Sequence, residues 1–291
     1  MNDLPPMVNR NNAYGIVYIR EDYVTIWQQI SETIRKKVVG DKHYNLSMMV
    51  SGNPGIGKSY FYLYIIFILL NDQRLLHGKF LVINSDNNFY KYNYDDEYFE
   101  SVDPSSVKDE SKMLRLVDGK TSSNELTGWA GVNILFASPT DEGNNKPSAF
   151  MKNFESYYYY MPVWSEDELL IANSLLSEDL RQEENVILDK IIIAGPIPRS
   201  VLMIDKTLDD LKITINGAVA SIRNAIEIIQ FIGERKSVTE KHYSHTLLKM
   251  TPSSCRGTYF SFTMSFLSAH IAALIIDACQ PEVKMQLTKF A

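Results

Sequence analysis

Apolar residues recur along this chain in short separate blocks whose spacing changes from block to block. Over Glu21–Val39 they fall on one helical stripe, Tyr23, Ile26, Trp27, Ile30 and Ile34, which predicts a helix. Leu46–Val50 is a short apolar run ending at Ser51-Gly52 and reads as a strand. Ser59–Leu70 is apolar nearly throughout and reads as a buried helix, too short to span a bilayer. Phe80–Asn84, Met113–Val117 and Asn133–Ala137 read as further strands, and Tyr157–Val163 as a fifth. Trp164-Ser165 opens a helix in which Ser165 and Glu168 form a capping box. Ile191–Ala194 leads into Gly195-Pro196-Ile197-Pro198-Arg199, and mostly helical patterns follow through Gly233. Phe260, Phe262, Met264 and Phe266 alternate with Ser261, Thr263 and Ser265 as in a strand, and Ala269–Cys279 returns to a helix. The polar segments between read otherwise. Met1–Asn12 is expected to be loose, Tyr90–Asp109 an irregular acidic excursion, and Asp141–Pro147 a loop.

Strands alternating with helices imply an α/β fold, a parallel sheet between helices, with a smaller, mainly helical lid-like region at the C-terminal end. The expected division is a loose segment at 1–17, a core at 18–194, and a lid with an α+β region at 195–291. Ligands of such sheets sit at the carboxyl ends of the strands. The first four candidate strands end in small or polar residues there: Ser51, Ser85, Asp118 and Ser138.

The chain has 291 residues, 45 % of them apolar, so it carries enough for a packed core and is not a disordered chain. A net charge of −6 supplies no global field for nucleic acid. The basic run Arg35-Lys36-Lys37 reads as a solvated helix end. Two cysteines, Cys255 and Cys279, build no disulfide framework. The polar N-terminus shows no secretory signal, and an intracellular setting is expected.

One motif decides the chemistry. Gly52-Asn53-Pro54-Gly55-Ile56-Gly57-Lys58-Ser59 matches G-x-x-x-x-G-K-[ST] in full, after a predicted strand and before a predicted helix. Glycines let successive N–H groups curl around phosphate, and the helix N-terminus adds positive potential. Lys58 is the expected partner of the β- and γ-phosphates, and Ser59 of Mg²⁺. The ligand expected is a nucleoside triphosphate, ATP above all, with magnesium. A second carboxylate must help hold the metal. Of Asp86, Asp118, Asp189 and Asp205, Asp118 closes an apolar strand at the expected place in the chain. Many ATPases of this kind place a water-activating Glu directly after that Asp; here Gly119 stands there. Glu125 is nearby but reads as a surface residue. Ser138, at the end of the fourth strand, could touch the γ-phosphate or its attacking water. Arg199, after a stiff turn, could reach the γ-phosphate from a lid. His242, His245 and Cys255 lack a fourth ligand and fit no closed zinc site. The tyrosines at 157–160 read as a buried strand rather than a base-stacking platform.

Five blocks occur in one order: Ser51–Ser59, Leu116–Gly119, Leu135–Pro139, Tyr160–Leu169 and Gly195–Leu202. Together they resemble the ATPase module of Crinkler-type effectors and retrotransposon hot spot proteins, over about Tyr18 to the C-terminus. The M-P-V-W-S-x-x-E-L and I-P-R-x-V-L blocks carry most of the specificity. The resemblance implies an AAA+-like or related P-loop fold, with Asp118 as the magnesium carboxylate, Ser138 as a sensor and Arg199 as a lid arginine. The family has two glycines before I-P-R, whereas this chain has Gly195-Pro196, a stiffer turn. The resemblance also implies a nuclear location, or a host cell for a secreted effector, and a partner domain through which nucleic acid could be bound. Self-association is left open, and no membrane role is expected.

The functional readings are an ATPase driving a conformational change, a switch that binds ATP and barely hydrolyses it, and the ATPase part of a nucleic-acid enzyme. Gly119 favours the second and the net charge disfavours the third. A small-molecule kinase fits the five blocks poorly.

Overall fold

The computed structural model describes residues 17–37, 45–72, 80–85, 87–118, 127–138, 150–151, 155–222, 232, 244–253 and 259–278. The readings made for Met1–Asn12, Asp86, Gly119, Glu125, Asp141–Pro147, His242, Cys255 and Cys279 lie outside the described residues. Two compact units emerge. One comprises Met1–Ser51 with Lys58–Tyr159, the other Gly52–Gly57 with Tyr160–Ala291.

The first unit is built on long apolar runs. In chain order it contains α1 (Glu21–Lys37), β1 (Asn45–Ser51), α2 (Lys58–Asn71), β2 (Phe80–Ser85), β3 (Asn88–Asn93), β4 (Tyr98–Ser101), α3 (Pro104–Val107), β5 (Met113–Asp118), β6 (Gly131–Phe136) and β7 (Glu155–Tyr160). Among the described residues these strands make a seven-stranded sheet in the order β4-β3-β2-β5-β6-β1-β7. β1 with β6, β6 with β5, and β5 with β2 are parallel. This is the α/β architecture that alternating strands and helices imply. Strands covered on both faces read as unbroken apolar runs, and β1, β5 and β6 are buried at nearly every position. α2, apolar on all sides, packs on β5 and β6. The whole predicted stripe of α1 is buried. It meets α2 where Tyr23 stacks on Phe61, with ring centroids 5.1 Å apart. The basic run closes α1 in solvent, Lys36 pairing with Glu32 at 3.2 Å.

Tyr90–Asp109, expected to be irregular, is instead ordered structure: β3 lies antiparallel to β2, β4 antiparallel to β3, and α3 follows. Strands at a sheet's edge keep polar residues on the wet side, so they carry no continuous apolar run. The turn between them is set by Asn93, whose side-chain oxygen accepts from the Asp95 and Asp96 amides. The tyrosine strand ends at Tyr160, three residues sooner than its apolar run suggests. Pro162 has no N–H to continue a ladder.

A buried cation sits inside this unit. Arg115 is fully buried, donates from Nε to Asn84 Oδ1 at 2.7 Å, and lies 3.7 Å from the Trp129 ring centroid. Trp129 in turn stacks on Phe89 at 5.2 Å. Side chains alternate along β5, so Arg115 and Asp118 serve opposite faces of the sheet.

In the second unit, the described elements are α4 (Glu166–Ser174), α5 (Glu184–Ala194), α6 (Pro198–Val201), α7 (Leu208–Ala220), α8 (Ser244–Leu247), β8 (Leu248–Pro252), β9 (Phe262–Phe266) and α9 (Ala269–Ala278). The capping box at Ser165 and Glu168 is formed in both directions. α5 is central and packs against α4, α6, α7 and α9. β8 and β9 pair antiparallel, Leu248 opposite Phe266 and Met250 opposite Met264. Among the described residues no helix is long and apolar enough to cross a membrane.

Buried tyrosines make the first unit sensitive to alkali. Tyr159 is fully buried and shares a 2.9 Å hydrogen bond with Thr33; burial pushes its phenol up to about 12 from an ordinary 10.0. A phenol harder to ionise when folded adds stability that is complete below pH 10 and falls away as the pH climbs towards 12. Urea unfolding between pH 8 and pH 11 should therefore show stability falling above about pH 10. Tyr159→Phe should flatten that fall; an unchanged slope would remove Tyr159 as its source.

Candidate functional site

Three glycines in six residues leave Gly52–Gly57 little intrinsic shape, and the second unit holds the loop from several sides. At Gly52, with φ +148°, a Cβ would meet the Met161 carbonyl oxygen at 2.7 Å. Gly55, at φ +84°, lies so close to Arg199 that an added Cβ would meet the Arg199 Cβ at 2.7 Å. No side chain fits either place. Three hydrogen-bonded attachments surround these contacts. The Trp164 indole Nε1 donates to the Ile56 carbonyl at 2.8 Å. The Arg199 amide donates to the Gly55 carbonyl at 3.4 Å. The Asn53 carboxamide donates to the Leu248 carbonyl at 2.7 Å and accepts from the Met250 amide at 2.8 Å. Asn53 and Ile56 are buried, so their side chains anchor the loop inward.

Two of these attachments come from the M-P-V-W and I-P-R blocks, and the blocks also touch each other, the Trp164 amide donating to the Pro196 carbonyl at 3.3 Å. The turn before Arg199 is tight: the Ile197 amide returns to the Gly195 carbonyl across Pro196 at 2.9 Å. Pro198 then starts α6, whose fixed φ suits a first helical position. The Arg199 side chain is exposed. A buried polar network fixes the far end of α6. Lys190, 1 % exposed, donates to the Met203 carbonyl at 2.9 Å and to Gln182 Oε1 at 2.5 Å. Gln182 donates to the Val201 carbonyl at 3.0 Å and is itself held by Asn173. Burial lowers the Lys190 pKa, while the charge of Asp205 acts to raise it.

In the first unit, β1 runs out at Ser51 and α2 begins at Lys58, which is 9 % exposed. Ser59 Oγ donates to Asp118 Oδ1 at 3.3 Å. The sheet register explains the meeting. Asp118 stands opposite Phe136, and Phe136 opposite Val50, so the end of β5 is level with the end of β1 although β6 lies between. Two strand spacings of about 4.8 Å separate them, and Ser59 on the first turn of α2 closes the gap. β6 stays paired with β1 to its last turn, the Ala137 amide donating to the Val50 carbonyl at 3.1 Å. Ser138 therefore leaves the sheet between those two strand ends, half-buried. Tyr62, fully buried on α2, donates to the Asn84 carbonyl at 3.3 Å. Its phenol is pushed well above the ordinary range, by burial first and by the charge of Asp118 second.

Thus the first unit brings Ser59 and Asp118 together and sets Ser138 at the adjacent strand end, while the second seats Arg199 on Gly55. Asp189 and Asp205 are not in the sheet; they lie on α5 and after α6 in the second unit. Arg181 is exposed and donates to the Leu176 carbonyl at 3.0 Å. Sequence reasoning missed the anchoring roles of Trp164, Asn53 and Lys190. Trp164 stood in a conspicuous block, but nothing in its type announces a bond to a loop 108 residues away.

No protein-family model matches the chain, and no curated protein matches its sequence. Among solved structures, it is similar to the S. cerevisiae Hsp104-ADP complex at 13 % identity, over 80 % of this chain and 36 % of that one, with a TM-score of 0.39. It is also similar to the Aeropyrum pernix ORC2 protein in its ADPNP-ADP complexes at 9 % identity, over 96 % of each chain, with a TM-score of 0.37. The chain spans 36 % of the Hsp104 chain it matches. The α/β assignment rests on strand order and register rather than on these distant likenesses.

Trp164→Phe removes the donor to Ile56 and also shortens the buried indole to a single ring. Leaving a buried carbonyl unpaired costs about 1–3 kcal/mol. Denaturant unfolding of the variant should show a loss of at least that size, the missing ring atoms adding to it. No loss would mean that the indole bond does not hold the loop.

Proposed function

We propose that this chain binds ATP with magnesium at Gly52–Ser59 and hydrolyses it slowly, as the ATPase module of a Crinkler- or retrotransposon-hot-spot-like protein. The observation that carries the reading is the 3.3 Å approach of Ser59 Oγ to Asp118 Oδ1. A motif hydroxyl and a strand-end carboxylate at that spacing are a fitting donor pair for a hard divalent cation, held directly or through water. Bound there, magnesium would neutralise charge on the β- and γ-phosphates.

The protein's own groups do the rest. Lys58 brings an ammonium to the first turn of α2, where the helix end already favours an anion. Ser138 offers a hydroxyl at the strand end beside β1 and β5, suited to orienting a γ-phosphate oxygen or the attacking water. As the γ-phosphate gains charge on its oxygens, a fixed guanidinium stabilises it, and we assign that part to Arg199. The tight turn at Gly195–Ile197 and the network around Lys190 hold both ends of α6, which limits where the guanidinium can go. Gly119 stands where a water-activating Glu is usual, so proton removal has no dedicated base in the motif and turnover is slow. The same glycine favours a second reading, a nucleotide-dependent switch in which binding rather than turnover is the signal.

Titration calorimetry with a non-hydrolysable ATP analogue and magnesium tests the site. Lys58→Ala should weaken binding about 10- to 100-fold, the scale of a charge-assisted hydrogen bond. Unchanged affinity would sink the assignment. Asp118→Asn should keep most of the binding and lose turnover, since the phosphate cradle stays intact while the metal is held less well. Normal turnover in Asp118→Asn would move the metal carboxylate elsewhere.

Arg199 is tested by phosphate release. Arg199→Ala should lower the rate about 100-fold or more, the scale of one lost transition-state donor, well beyond its effect on affinity. Arg181→Ala should leave the rate near wild type. Equal effects of the two, or a wild-type rate typical of a fast motor, would discard the lid-arginine mechanism.

A further inference from the structure

Asn53 occupies a position that the G-x-x-x-x-G-K-[ST] pattern leaves free, yet it is the most specifically held residue of the loop. Its side chain is 2 % exposed. The carboxamide NH₂ donates to the Leu248 carbonyl at 2.7 Å, and the carboxamide oxygen accepts from the Met250 amide at 2.8 Å. Those two backbone groups belong to residues two apart, which is how a strand presents one C=O and one N–H to a neighbour on the same side. β9 occupies one edge of β8 through Leu248–Phe266 and Met250–Met264. On the other edge the Asn53 side chain takes the place of a peptide from a third strand.

Only a carboxamide meets both demands. It has a donor and an acceptor on one carbon, whereas an ionised Asp of the same size has acceptors alone and would set an oxygen against the Leu248 carbonyl. A side chain lacking both leaves two buried backbone groups without these partners. The loop has little stiffness of its own, so where Asn53 is tied decides where the neighbouring loop backbone lies.

We propose that Asn53 is a positioning residue of the nucleotide site, and that through it the β8–β9 hairpin reports whether the loop is occupied. This rests on the ATP-binding reading above. Phosphate bound by Gly52–Gly57 restrains the loop. Asn53 passes that restraint to β8, which protects the Met250 amide. In return, the hairpin holds the loop in its binding shape, so an event that loosens β8 weakens nucleotide binding by the same factor that the nucleotide tightens β8.

The test uses the full 291-residue chain, with amide hydrogen exchange over β8 measured with and without a non-hydrolysable ATP analogue and magnesium. In the wild type the analogue should slow exchange at Met250 several-fold. In Asn53→Asp and Asn53→Ala, Met250 should exchange faster, the analogue should no longer slow it, and the analogue Kd should rise about tenfold or more, the scale of a lost buried hydrogen bond. Asn53→Gln retains both amide groups and should recover part of the affinity. Thr214→Ala removes an exposed hydroxyl on α7 that donates to the Asp210 carbonyl, away from the hairpin, and should leave the Kd unchanged. A wild type that binds the analogue with no change at Met250 overturns the inference alone, whether or not the variants fold. So does wild-type affinity in a folded Asn53→Asp. A wild type that binds no analogue removes the proposed function, and this inference with it.

Discussion

Gly52–Gly57 is held in one shape, which a segment with three glycines in six residues cannot keep alone. Glycine loses more conformational freedom on ordering than any other residue. The restraint comes from outside the loop, as hydrogen bonds to its carbonyls and to one side chain. Trp164 holds Ile56, Arg199 holds Gly55, and β8 holds Asn53. The two glycines at closest approach are glycines for the same reason. The anchoring backbone and side chains come so near that a Cβ has nowhere to go. Much of the second unit's organisation follows from this demand. Within that unit Met161 and Trp164 lie against the loop, and α5 carries the lysine that steadies α6.

In the first unit the corresponding constraint is register. A parallel sheet ends its strands together, and pairing Asp118 with Phe136 and Phe136 with Val50 brings a carboxylate level with the end of β1. One residue of slip in either pairing would turn Asp118 to the other face. On β5 the polar Arg115, bonded to Asn84 and set against Trp129, tells the two apolar faces apart. Arg115, three residues earlier in β5, is kept on the opposite face by Asn84 and Trp129, so a buried cation and a candidate metal carboxylate share one strand without meeting.

The two arrangements explain why the chain's most recognisable blocks are scattered. A short helix such as α6 has little stability by itself. The Gly195–Ile197 turn and the Lys190 network hold its two ends, and its first turn carries Arg199 beside Gly55. The same logic applies to Trp164, where one indole both fills space and satisfies a loop carbonyl.

Much of this was legible from residues in order. Apolar runs of strand length, a helix with one buried stripe, a capping box at Ser165, and a glycine-rich motif between strand and helix are local patterns, and local sterics and solvent exclusion set them. The edge hairpin at β3 and β4 was not legible, because half-exposed strands carry no unbroken apolar run. The pairing of Ser59 with Asp118 was expected from the motif, whereas the bonds of Trp164 and Asn53 to their distant partners were not legible. Strand register in the first unit and packing within the second bring together residues 59, 108 and about 195 positions apart. Sequence determined which groups could bind phosphate and a cation. Only the tertiary structure decided which of them meet, because packing and pairing set distances that spacing along a chain does not.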